Sequence, residues 1–148
     1  MADDLAPRNP DFERAVRESF AKQTFMTTLG AALERVEPGA VDVAVPFSEA
    51  LCQQNGYLHA GVLASVADSA CGYAALTLAA PGQDVLAVEF KINLMAPASA
   101  PRLLARGRVV RAGRRLTVCL SEVLGVNGDE HELVATMLST ISTRPGGA

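Results

Sequence analysis

Asp68 is the only acidic or basic side chain other than histidine between Ala50 and Gln83. It stands inside an apolar run from Gly61 to Leu76, where an ionised carboxylate costs too much to bury unpaired to be kept for packing alone. Gln53 lies fifteen residues upstream, and His59-Ala60-Gly61 opens the run. An amide, a helix start and an acid are the parts needed to attack an activated carbonyl. Asp68 could activate a water as general base, or attack directly and form a mixed anhydride. The residues leave both routes open. The first backbone N–H groups of a helix starting at His59, Ala60 and Gly61 lack internal partners and carry partial positive charge. They suit a carbonyl oxygen that gains charge during the reaction. Gln53 could position the water or bond the carbonyl, with Asn55 as a competitor for that role. His59 could act as a general base, with a satisfied structural histidine as its plainer reading. The plainer readings are a structural carboxylate at Asp68, held by a backbone amide or an arginine, tight helix packing at Gly61 and a solvated loop side chain at Gln53.

A second cluster is basic. Arg102, Arg106, Arg108, Arg111, Arg114 and Arg115 fall within fourteen residues that contain no acid, in a chain of net charge −3. Guanidinium forks suit phosphates, so the turn Arg111-Ala112-Gly113-Arg114-Arg115 could hold an anionic part of a substrate. The alternative is a solvated strand face, or ion pairs to Glu122 and the N-terminal helix.

Other chemistries are poorly supplied. Three cysteines and two histidines, with no C-x-x-C pair, are too few and too scattered for a zinc site. Cys52 precedes His59 by seven residues, but nothing orients the two as a nucleophile and base. No G-x-S-x-G elbow, phosphate-binding loop or dinucleotide fingerprint occurs. Few aromatics and a net acidic charge argue against nucleic acid. The acidic start Met1-Ala2-Asp3-Asp4 is not a secretory signal, and the odd, dispersed cysteines fit a reducing cytoplasm. Gly61 to Pro81 approaches membrane-spanning length, but Asp68 near its centre would cost about 2.5–3.5 kcal/mol. The run is instead a helix buried in its own domain.

These side chains must be held by a definite order of elements. Residues 1–8 read as a loose tail. Asn9-Pro10-Asp11 opens a helix with Phe12, Val16 and Phe20 on one stripe, running to about Lys22. Phe25 to Glu37 and Ala40 to Phe47 read as strands around Pro38-Gly39, and Ser48 to Tyr57 as a loop. The long helix runs from His59 to about Ala79. Four strands follow: Val85–Leu94, Arg102–Arg111, Leu116–Val126 and Leu133–Ser142, with Asn127-Gly128 as a hairpin turn. The tail begins at Thr143. Leu86, Val88, Phe90, Ile92 and Leu94 are expected on one face of their strand. The fold class is therefore α+β: one domain over residues 9–142, an antiparallel sheet of five to six strands around one long helix, with an N-terminal helix.

The order, together with Gln53-x-Asn55-Gly56-Tyr57-Leu58-His59-Ala60-Gly61, Ala67-Asp68-Ser69-Ala70, Val88-Glu89-Phe90-Lys91-Ile92-Asn93 and Val109 to Leu116, resembles the hotdog-fold acyl-CoA thioesterases. More narrowly it is similar to the phenylacetate-pathway, PaaI-like branch. The resemblance spans residues 25 to 142. It implies hydrolysis of thioesters of coenzyme A or a carrier protein. It also implies no cofactor other than coenzyme A within the substrate, and a dimer or tetramer with active sites at the subunit interface. Relatives usually carry glycine after the histidine, where this chain has Ala60. Some place a hydroxyl where this chain has Gly72 and Ala87, which leaves Ser69 and Tyr73 as substitutes and a non-catalytic acyl-CoA binder as the alternative. A hydratase of this fold needs an acid five residues before the histidine, where Gln54 stands. Burial should raise the Asp68 carboxyl, and nearby helix amides should oppose that rise.

Overall fold

A computed structural model describes residues 5–147. The chain runs α1 (Phe12–Ala21), α2 (Thr24–Leu29), β1 (Ala32–Glu37), β2 (Ala40–Pro46), a single 3-10 turn (Glu49–Leu51), α3 (Ala60–Leu76), β3 (Gln83–Leu94), β4 (Arg102–Ala112), β5 (Leu116–Asn127) and β6 (Glu130–Pro145). The six strands form one antiparallel sheet in the order β1-β2-β4-β5-β6-β3. The sheet wraps α3, which packs on β2 through β6. This is the hotdog fold. Helix α3 is apolar nearly all round because it is nearly surrounded: Val66, Ala67, Ala70, Cys71 and Ala74 are fully buried. Its closest approach is at Gly107 of β4, where an added Cβ would come within 2.3 Å of the Ala70 backbone.

Three expectations change. Phe25 to Leu29 is helical, not extended. Gly30, at φ 70°, ends α2 in a left-handed cap that returns its own N–H and that of Ala31 to the last turn. The termini are less loose than their composition suggests. Leu5 packs against Gly39, and Arg8 Nε donates to the Leu78 carbonyl at 2.9 Å. Strand β6 runs on through Arg144, and Gly146 N–H donates to the Gly82 carbonyl. Residues 1–4 and 148 lie outside the described residues. Third, β3 does not alternate cleanly. A bulge between Ala87 and Glu89 takes Val88 out of register, so Leu86 lies opposite Ser142 while Phe90 lies opposite Ser139. One extra residue flips the faces, and Leu86 therefore points away from the Phe90–Ile92 side.

Candidate active site

The loop before α3 is tied into a rigid half-site. Gln53 N–H donates to the Tyr57 carbonyl at 2.8 Å, Leu58 N–H to Ala98 and His59 N–H to Leu51, both at 2.9 Å. Gly56 turns the loop at φ 83°. Asn55 N–H donates to Gln53 Oε1, so the Gln53 side chain is anchored by its oxygen and offers its NH2. His59 caps α3: Gly61 N–H donates to His59 Nδ1 at 2.8 Å, which puts the ring proton on Nε2. A Cβ at Gly61 would sit 3.0 Å from that nitrogen, so the glycine lets the ring fold over the helix start.

The cap redistributes the expected roles. Gly61 N–H is committed to His59, so the helix-start donor left for a substrate oxygen is Ala60 N–H, which has no acceptor within the helix. His59 holds the helix start, as a positioning residue would. Gln53, His59 and Ala60 line a cavity of about 470 Å³ with Tyr57, Leu63, Leu94 and Met95. Asn55 is exposed and does not line it.

Asp68 lines a different cavity, of about 430 Å³, with Gly72, Tyr73, Ala87, Lys22 and Arg144. Its Oδ1 is buried with no hydrogen-bond partner among the described residues. Burial alone raises the carboxyl above its ordinary value, and no helix amide opposes the rise. An acid so placed is a stronger base than a solvated aspartate. Ser69 and Tyr73 do not serve it. Ser69 Oγ donates to Gln23 Oε1 at 3.3 Å, and the Tyr73 hydroxyl lies 3.4 Å from Ser19 Oγ. Among the described residues, neither an amide nor an arginine is bonded to Asp68.

One protomer therefore does not bring the predicted residues together. Ala60 and Asp68 are eight residues apart on one helix, about 12 Å at 1.5 Å per residue. An attacked carbonyl must lie near both donor and acid, roughly 3 Å from each. The Asp68 cavity takes in the start of β3 (Asp84 to Ala87), and the Gln53 cavity takes in its end (Leu94) and the residues after it.

The arginines divide. Arg102 pairs with Glu34, Arg106 with Asp42 at 4.0 Å and Arg108 with Glu122 at 3.1 Å. None pairs with the N-terminal helix. Arg111, Arg114 and Arg115, around the turn at Gly113, make no ion pair among the described residues. The Arg115 carbonyl accepts from Thr143 N–H at 2.9 Å, which sets the turn beside Arg144 and so beside the mouth of the Asp68 cavity. Arg144 and Lys22 escaped the sequence reading. Each lies in a segment read as a tail or a helix end, and only the long-range pairing of β6 and the packing of α1 bring them to the Asp68 cavity.

Burial pushes the Cys119 thiol up to about 12 and raises the Cys71 thiol further, so neither is a nucleophile. Among the described residues no His, Cys, Asp or Glu cluster is arranged to hold a metal, and no helix is long and apolar enough to cross a membrane.

The family model described as thioesterase superfamily matches residues 55–132. A thioesterase family protein from Silicibacter pomeroyi is 43% identical, with 91% of this chain and 99% of that chain covered at a TM-score of 0.89. A Saccharolobus solfataricus protein, whose esterase name is provisional, is 32% identical over 70% of this chain and 68% of its own. The PaaI protein of the E. coli phenylacetic acid degradation operon shares the fold at 19% identity, covering 94% of this chain and 97% of that one at a TM-score of 0.84.

Proposed function

The chain belongs to the thioesterase superfamily, whose reaction is thioester hydrolysis, and we propose that it cleaves acyl-CoA thioesters at sites completed by two copies of itself. One observation carries this reading: the acid half-site and the donor half-site lie at opposite ends of the same open edge strand.

Strand β3 ends the sheet, and among the described residues no strand pairs with its outer side. The other edge, β1, is blunted by Glu34, Arg35 and Glu37, whereas β3 exposes Val88, Phe90 and Leu94 at 58%, 45% and 54%. A long apolar edge calls for a partner strand. Antiparallel pairing of β3 with a second β3 about a twofold sets the start of each beside the end of the other. Asp68 of one subunit then faces Gln53 and Ala60 of the partner subunit. A register centred near Phe90 also sets Glu89 opposite Lys91 of the partner subunit.

In the completed site, Ala60 N–H at the positive end of α3 bonds the thioester carbonyl oxygen and stabilises its developing charge. The Gln53 NH2 orients the carbonyl or the water. Asp68, made more basic by burial, takes a proton from water as it attacks, or attacks the carbonyl itself. Collapse of the tetrahedral intermediate breaks the C–S bond. In the first route the leaving thiolate takes the proton held by Asp68; in the second a water then hydrolyses the mixed anhydride, releasing the acid and freeing the Asp68 carboxylate. Arg111, Arg114 and Arg115 hold the coenzyme A phosphates at the exposed turn, with Gly113 letting the chain bend there: an added Cβ would meet the Leu116 carbonyl at 2.4 Å. No further cofactor enters this scheme.

The test is turnover of an acyl-CoA panel from acetyl to aryl. Hydrolysis of at least one member is expected. Tight acyl-CoA binding with no turnover of any member would replace the hydrolase with the binding protein.

A further inference from the structure

Gly72 sits one turn beyond Asp68 in the interior of α3, where glycine weakens a helix relative to alanine. Other glycines have visible reasons. Gly107 admits the α3 backbone, and Gly30 takes a left-handed φ. Gly72 has neither, since its φ is not positive and a Cβ built there meets nothing within 4 Å. What the missing side chain leaves is space, and that space belongs to the Asp68 cavity, which Gly72 lines. Helix Cβ atoms tilt toward the N-terminus and residues four apart share a face. A side chain at position 72 would therefore project toward the Asp68 turn, where the attacked carbonyl must lie.

The surrounding wall is fixed. Tyr73 lies against Phe20 with ring centroids 5.6 Å apart, and its hydroxyl is within reach of Ser19. On the sheet side the lining comes from Asp84, Val85, Leu86, Ala87 and Arg144, and of these Ala87 is the small one. Among these lining residues, Gly72 is the one a turn beyond Asp68 on the same helix, so a side chain there bears directly on the volume next to the acid.

We propose that Gly72 is the specificity-determining residue for bulk at the acyl α-carbon: its missing side chain admits α-branched or cyclic acyl groups beside Asp68. This rests on the reading that the Asp68 cavity receives the acyl group. The space lies within one turn of the acid, so it accommodates bulk next to the carbonyl and not chain length.

The test compares two isomers, isobutyryl-CoA and n-butyryl-CoA, on wild type and on Gly72→Ala. The helix-favouring substitution is expected to raise Tm by roughly 2–4 °C, which establishes that the variant is folded. The isobutyryl to n-butyryl ratio of kcat/KM is expected to fall by about 10-fold or more, the scale on which one carbon group is discriminated in a close-fitting site. A raised Tm with an unchanged ratio would overturn the inference while leaving the site intact. Undiminished turnover of both isomers by Asp68→Asn would instead remove the site reading, and the size limit with it.

Discussion

Two regions of α3, a donor end at its start and an acid end at its middle, are built from opposite materials. At its start, Gln53, His59 and Gly61 are fixed by hydrogen bonds that span two to eight residues, and the product is a donor array aimed at an open cavity. Two turns on, Asp68 has no hydrogen bond at Oδ1 and is conditioned by burial alone. The donor end is preorganised and chemically passive. The acid end is reactive and unsupported. On the proposed reading each is half of a device for acyl transfer, and the helix holds them about 12 Å apart. The functional unit on that reading is the pair of subunits, with β3 as the strand that exchanges halves.

The largest effect should come from the acid end. Asp68→Asn is expected to lower kcat by about 10²–10⁴-fold, the range for losing a general base. It should also raise Tm at pH 7. Burial raises the native carboxyl above its unfolded value, so the native state binds the proton more tightly and stability falls as pH climbs through that window. The variant carries no such penalty. In wild type, log kcat should fall on the acid side, with its midpoint above the ordinary aspartate value of about 4. A pH-rate profile flat from pH 4 to 7, or a lower Tm for the variant, would break the contrast between the ends.

Next is the edge that joins them. Phe90→Glu should yield a monomer by light scattering with nearly all activity lost, because two acids would meet across the twofold. A fully active monomer would mean that each protomer holds a complete site. At the donor end, Gln53→Ala removes one hydrogen-bond donor and should cost about 10²-fold in kcat, the lower range for such groups. It should leave Tm nearly unchanged, unlike Asp68→Asn. The smallest effect lies farthest from the reacting bond. Arg114→Ala with Arg115→Ala should raise KM for acyl-CoA several-fold with kcat little changed, an effect that shrinks as salt screens the phosphates. An equal loss in kcat would move these arginines into the catalytic machinery.

The donor end was readable in the sequence because its contacts are local. A histidine at a helix start followed by glycine, and an amide two residues before an asparagine, are short-range patterns. Which amide remains free was not readable, since only the ring position shows that His59 takes Gly61 N–H and leaves Ala60 N–H. The acid itself was conspicuous as a charge in an apolar run, but its surroundings were not. Lys22 and Arg144 reach the cavity through packing of α1 and pairing of β6, contacts that span tens of residues. The single bulged residue at Val88 likewise reverses the face of Leu86 without a glycine or proline to mark it. The α2 helix was missed although Gly30 is a helix-ending signal, because six residues are too few for helical periodicity to outweigh an extended reading.

The exchange of halves across β3 is tested most directly by complementation. Asp68→Asn and Gln53→Ala subunits should each be nearly inactive alone. Co-folded in equal amounts, half of the dimers should be mixed, and each mixed dimer should pair one intact Asp68 with one intact Gln53 of the partner subunit. Activity should return to roughly a quarter of wild type, the value random pairing in a twofold dimer requires. A mixture no more active than the sum of its two parents, with mixed dimers present by native mass spectrometry, would contradict the account.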